Sequence, residues 1–193
     1  VIQVLLDHVS DGKPLRDILD ENPDYRVAVA EYLLLTDKPV LYVANVDEDS
    51  INRNKYVDVV KEIAAAEGAK VVILCGKIEA ELLELEEEEA QEYLQSLGLE
   101  RPGLENLIRE GYDLLGLVTY FTAGEKEVRA WTVEKNTTAQ KAAGKIHSDI
   151  ERGFIRAEVT SYKDFEELKS LAVAKEKGKL RLEGKEYIVQ DGD

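Results

Sequence analysis

Apolar residues at positions 1, 2, 4, 5, 6 and 9 keep helical spacing, which predicts the end of a helix over residues 1–9. Gly12 and Pro14 break it, and Asn22-Pro23 marks another turn. Residues 25–35 read as a second helix that stops before Lys38-Pro39. The pattern then changes. Residues 40–44 (VLYVA) and 71–75 (VVILC) are short apolar runs with no polar alternation, as expected of strands covered on both faces. Between them lie a polar loop (45–54) and a helical pattern of Tyr56, Val57, Val60, Ile63 and Ala64 that Gly68 ends. Strand, helix, strand in this order predicts a βαβ unit with parallel strands and a right-handed crossover.

Residues 78–97 read as one Glu-rich helix with Leu82, Leu83, Leu85, Ala90 and Leu94 on its inner side. Pro102-Gly103 breaks the pattern, and 104–115 forms the next helix. Beyond it the period shortens. Residues 118–122 and 127–133 are β-branched or alternating runs around Gly124, which predicts a hairpin. Residues 139–151 read as a helix with Thr137-Thr138 as cap residues, and 155–160 and 187–189 as further strands. About four strands over one helix point to a β-grasp arrangement.

Charge sharpens the division. Residues 1–118 hold 26 acidic against 11 basic side chains, whereas 119–193 hold 14 of each. This places a domain boundary between residues 116 and 119. An acidic first part repels phosphate backbones, so any nucleic-acid contact is expected in the neutral second part. No apolar run approaches the roughly 20 residues of a membrane span, and a lone Cys75 fits a reducing cytoplasm. The absence of methionine and the stop after Asp191-Gly192-Asp193 lead to the expectation that the chain is a fragment.

The main candidate chemistry follows the first predicted strand: Asn45-Val46-Asp47-Glu48. In an open α/β sheet, ligands sit at the carboxyl ends of the strands. P-loop GTPases read their base with a similarly placed Asn-Lys-x-Asp loop, whose Asp accepts from guanine N1–H and N2–H₂. Here Glu48 stands at the last position and Val46 at the second. Adenine offers an acceptor at N1 and no N2 donor, so a carboxylate gains nothing there. An Asn amide still matches the adenine N7 and N6 edge. Cys75-Gly76-Lys77 follows the neighbouring strand, where GTPases place a loop that packs on the base. The Asn45–Glu48 tetrapeptide alone could be an ordinary polar turn; the pair of loops at this separation points to a nucleotide base, ATP over GTP. The candidate base-binding residues are therefore Asn45, Val46, Glu48, Cys75, Gly76 and Lys77.

Other signals read as structure. Residues 86–89, four successive Glu, point in four directions on a helix and cannot converge on one metal ion. His8 and His147 have no nucleophile beside them and read as helix or surface residues. Lys175, Lys177, Lys179, Arg181 and Lys185 form a basic stretch with Gly178 and Gly184: a solvated loop, or else a candidate RNA contact.

The runs KPVLYVANVDE (38–48), AKVVILCGKIEAEL (69–82), TYFTAGEKEVRAWT (119–132), HSDIERGFIRAEV (147–159) and KLRLEGKEYIVQDGD (179–193) resemble YchF and the eukaryotic Obg-like ATPases over nearly the whole chain. The resemblance implies an α/β fold: the C-terminal part of a P-loop NTPase domain followed by a β-grasp TGS domain. It assigns residues 1–25 to the returning arm of an inserted helical hairpin, 26–118 to the nucleotide domain and 119–193 to the TGS domain. It also implies a cytoplasmic ATPase that uses ATP with Mg²⁺ and associates with ribosomes in translation or stress responses. Two departures stand out. No G-x-x-x-x-G-K-[ST] loop occurs in these 193 residues, so phosphate and Mg²⁺ ligands are not expected here. The family's final strand after the Asp-Gly-Asp turn is also missing from them. Residues 1–193 alone are thus expected to hydrolyse nothing. The alternative is a ribosome- or RNA-binding module switched by nucleotide with little catalytic role; a metabolic enzyme on a flavodoxin-like sheet lacks an acid–base constellation.

Overall fold

The computed structural model describes residues 1–51, 53–124 and 127–193; Asn52 of the expected polar loop and Glu125 and Lys126 of the expected hairpin lie outside the described residues. The chain divides into two units, Val1–Leu114 and Leu115–Asp193.

The first unit begins with α1 (Ile2–Ser10), α2 (Leu15–Glu21) and α3 (Pro23–Val29). Gly12 adopts φ +77° between the first two, a conformation open to glycine without a Cβ penalty. Leu5, Leu15, Leu19 and Val29 bury together and hold the three helices as a small core. The expected helix over 25–35 is shorter than predicted: α3 ends at Val29, and two 3₁₀ turns, Ala30–Tyr32 and Leu35–Asp37, replace the rest. Leu33 between those turns sits at φ +49°, which breaks helical continuity.

β1 (Leu41–Asn45) and β2 (Lys70–Leu74) pair in parallel, with Leu41 opposite Lys70 and Asn45 opposite Leu74. The helix between them, α4 (Lys55–Ala66), is capped by the Asn54 side chain, which accepts from the Tyr56 N–H at 2.9 Å, and Gly68 at φ +65° releases the chain. Strand, helix and parallel strand thus follow the apolar pattern.

The single Glu-rich helix is in fact two, α5 (Gly76–Leu82) and α6 (Glu87–Ser96). Like charges one turn apart disfavour a continuous helix through residues 81–89, whereas a fresh N-terminus welcomes Glu87, Glu88 and Glu89 in its first turn. The break leaves Leu83 82% exposed instead of inward, while Leu94 is buried. α7 (Gly103–Leu114) then packs back on the sheet. Gly103 is required there: a Cβ would lie 2.6 Å from Leu74 Cβ.

In the second unit β3 (Leu117–Ala123) and β4 (Val128–Glu134) form the expected antiparallel hairpin. The expected helix over 139–151 is split into α8 (Ala139–Ile146) and α9 (Ser148–Gly153). His147 makes the break: it is extended (φ −165°, ψ 144°), and its Nδ1 accepts from the Asp149 N–H at 3.1 Å as the cap of α9. β5 (Arg156–Val159) is followed by α10 (Tyr162–Leu168), α11 (Leu171–Glu176) and β6 (Arg181–Gly184). The four-strand sheet is instead two antiparallel pairs, β3–β4 and β5–β6. Residues 187–189 make one isolated bridge, Ile188 to Thr138, because the flanking groups serve the start of α8: Tyr187 O accepts from Ala139 N–H at 2.7 Å. Val118, Tyr120, Val133, Ala139, Ala142 and Val189 form the core of this unit.

Candidate functional site

Parallel pairing brings the C-terminal ends of β1 and β2 side by side, and the ladder runs one residue further: Val46 N–H donates to Leu74 O at 2.9 Å. Past that bond the chain turns away through Asp47 into a 3₁₀ turn, Glu48–Ser50. On the neighbouring strand Cys75 leads into α5, whose first residue is Gly76. The two loops that the sequence singled out are therefore adjacent. They are also bonded to each other. Asn45 Oδ1 accepts from Gly76 N–H at 3.0 Å, and Lys77 Nζ donates to Glu48 Oε2 at 2.8 Å.

Each side chain has a distinct position. Asn45 is exposed at the strand end; its Oδ1 keeps a second lone pair and its Nδ2 two hydrogens, enough to meet a donor and an acceptor on one ligand edge. Val46 and Glu48 are half-buried, and Gly76 and Lys77 are exposed. Cys75 is 2% exposed, so its thiol belongs to the packed interior beneath the loop rather than to its open face.

Two further residues join this cluster that the sequence did not single out. Glu81, one helical turn after Lys77, lies 3.6 Å from Nζ through Oε1, and its Oε2 accepts from the Tyr93 hydroxyl at 2.6 Å. The hydrogen bond to Glu48, aided by the charges of Glu48 and Glu81, raises the Lys77 pKa above its ordinary value. The Tyr93 phenol is pushed up to about 12, chiefly by its bond to Glu81. Both therefore stay protonated at neutral pH. The i, i+4 spacing of Lys77 and Glu81 was readable in the sequence; Tyr93 was hidden by the unexpected break between α5 and α6.

Beneath the loops, Glu79 ties α5 to α7. Its carboxylate accepts from Gly103 N–H at 2.7 Å and Leu104 N–H at 3.2 Å, satisfying two free donors at the helix start.

In the second unit the basic stretch is no loop: it runs from the end of α11 through Gly178 (φ +67°) into β6. Three of its cations face carboxylates: Lys175 with Glu158 at 3.6 Å, Lys179 with Asp164 at 3.0 Å, and Arg181 with Glu183 at 2.9 Å and Asp193 at 3.4 Å. Lys177 and Lys185 are exposed. Among the described residues no group of three or more His, Cys, Asp or Glu is arranged to hold a metal ion, and no helix is long and apolar enough to cross a membrane.

Comparison with known proteins agrees with the resemblance drawn from the sequence. The family model YchF-GTPase_C, described as a protein of unknown function (DUF933), matches residues 117–193. The chain is 60% identical over 166 residues to the protein named ribosome-binding ATPase YchF of Haemophilus influenzae, covering 86% of this chain and 46% of that protein. It is 51% identical over 193 residues to the protein of the same name from Escherichia coli O157:H7, and 50% identical over 196 residues to that of Bacillus subtilis; each match covers 100% of this chain and 53% of the relative. A solved structure titled as the Schizosaccharomyces pombe YchF GTPase superposes with a TM-score of 0.83 at 34% identity, covering 99% of this chain and 52% of that one. The chain thus spans about half the length of the relatives it matches. This agreement shows the expected fold class, part of a P-loop NTPase followed by a TGS domain. Residues 117–193 thus match the family's C-terminal domain, and nearly the whole chain is similar in sequence and fold to the C-terminal portion of YchF proteins.

Proposed function

We propose that this chain supplies the purine-reading side of a ribosome-binding ATPase, with Asn45, Val46, Glu48, Gly76 and Lys77 forming the base site above the buried Cys75. The observation that carries the reading is the joined pair of loops, Asn45 to Gly76 and Glu48 to Lys77, at the carboxyl ends of two adjacent parallel strands. Asn45 presents an amide to the N7 and N6 edge of adenine. Glu48, already holding the Lys77 ammonium, is poorly placed to serve guanine's two donors. Adenine is the base that fits.

ATP with Mg²⁺ supplies the transferable phosphoryl group; the sequence 1–193 carries no G-x-x-x-x-G-K-[ST] loop to cradle it, so these residues bind and orient the base alone. The relatives' names associate them with the ribosome. In this chain the surface assigned to that contact is residues 119–193, with Lys177 and Lys185 the freest of the five candidate cations. Such a chain works in the cytoplasm. The domain reading remains 1–25, 26–118 and 119–193.

The test is nucleotide affinity of a full-length protein containing these residues. Preference for ATP over GTP by about tenfold or more is expected, and Val46→Lys with Glu48→Asp should shift it toward GTP. Equal affinity for the two, or unchanged selectivity in that variant, overturns the base assignment. Residues 1–193 alone should show no turnover above a buffer blank.

A further inference from the structure

A free carboxylate beside an adenine site is a liability, because it offers guanine N1–H and N2–H₂ an acceptor. Glu48 is kept from that role by Lys77, yet Lys77 has two carboxylates to choose from. Glu48 Oε2 is 2.8 Å from Nζ and Glu81 Oε1 is 3.6 Å away. Glu81 sits on the same helix one turn on, within i, i+4 reach of Lys77. The ammonium nonetheless lies closer to Glu48, which is 29 residues away in sequence.

Tyr93 accounts for the difference. Its hydroxyl donates to Glu81 Oε2 at 2.6 Å, taking up part of that carboxylate's charge and anchoring it to α6. We propose that Tyr93 and Glu81 are positioning residues for purine selection: Tyr93 holds Glu81 back, so that the Lys77 ammonium stays on Glu48 and the Glu48 carboxylate is unavailable to a guanine edge. The inference rests on the purine-site reading above and assigns its selectivity to a residue, Tyr93, outside both loops. Because Tyr93 remains protonated well above neutral pH, the hold persists throughout the working range.

The experiment measures ATP and GTP dissociation constants, by titration with fluorescent non-hydrolysable analogues, in a full-length protein containing these residues. Tyr93→Phe removes the hydroxyl and lets Glu81 compete for Lys77. The ratio of GTP to ATP affinity should rise by about three- to tenfold, and Lys77→Gln, which frees Glu48 outright, should raise it further. Since Tyr93 acts through Glu81, Tyr93→Phe placed on a Glu81→Gln background should add no further change. A Tyr93→Phe variant that lowers both affinities alike, or whose effect persists on the Glu81→Gln background, contradicts the proposal. Lys77→Gln, at an exposed side chain, keeps the test open should Tyr93→Phe fail to fold: an unmoved ratio in that variant also sinks it. A parent protein that binds neither nucleotide removes the purine-site reading and the inference together. One that prefers ATP while every variant keeps its ratio removes the inference alone.

Discussion

Replacing Gly103 by Ala puts a methyl group where β2 already stands. The new Cβ would lie 2.6 Å from Leu74 Cβ, 3.1 Å from Leu74 Cα and 3.1 Å from Glu79 Oε1. Carbon atoms rest at about 3.5–4.0 Å, so α7 must retreat by about 1 Å. Overpacking of this kind costs about 1–3 kcal/mol. The better helix propensity of Ala offsets at most about 1 kcal/mol of that, and less at the first helical position. A net loss of about 1–2 kcal/mol follows, at roughly 4–8 °C of melting temperature per kcal/mol for a unit of this size. Urea and thermal unfolding of Gly103→Ala against the parent measure it. The clash is with Leu74 Cβ and Cα, so adding Leu74→Ala brings no rescue. Leu74 O also accepts the Val46 N–H, so the displacement carries into the loop that begins at Asn45. A Gly103→Ala protein within about 0.5 kcal/mol of the parent, the size of an ordinary surface change, would refute the packing described here.

Asn45→Ala and Asn45→Asp separate the two roles of that residue. Alanine loses the acceptor for Gly76 N–H, a solvent-accessible bond worth at most about 1 kcal/mol, whereas aspartate keeps it at a helix start that favours negative charge. Both lose the amide donors, so both should weaken nucleotide binding about tenfold while only alanine lowers the melting temperature. Asp164 accepts from Ser161 Oγ at 2.8 Å and pairs with Lys179 at 3.0 Å, which together hold its pKa below the ordinary carboxyl value. A lowered folded-state pKa means its stabilisation is complete above the ordinary value of about 3.9 and is lost as pH falls through the lowered one. Carbon-13 titration of its carboxyl should give a midpoint below that value, and Ser161→Ala should raise it. Tyr120→Phe removes the buried bond from its hydroxyl to Ala142 O at 2.7 Å and should cost about 1 kcal/mol by urea unfolding.

The elements legible in the sequence were those whose partners lie within one segment or one period. The runs at 40–44 and 71–75 are apolar and pair as parallel strands, although Val43 is left 47% exposed, and the Gly68 stop is a local device. The adjacency of the two candidate loops followed from the same regularity, since parallel strands put Asn45 and Gly76 at one end. What stayed hidden depends on distant contacts. No Gly or Pro near Leu83 announces that the helix stops, and the Glu run that begins α6 reads equally well as a solvated face. β6 was read as a loop because five basic residues and two glycines over 175–185 outweighed the short alternation of Leu180 and Leu182, the latter 60% exposed. His147 has helical neighbours on both sides, and only its bond to Asp149 N–H reveals a cap. Tyr93 meets Glu81 across the break between α5 and α6, which kept Tyr93 out of the sequence reading.

The account turns on one claim, that the joined loops after β1 and β2 hold a purine and favour adenine. Amide and side-chain NMR of a full-length protein containing these residues, titrated with adenosine and guanosine nucleotides, tests it most directly. Shifts centred on the Asn45 side-chain amide, Gly76 and Lys77 that saturate at lower ATP than GTP concentrations are predicted. Nucleotide binding that leaves those three signals unmoved would contradict it.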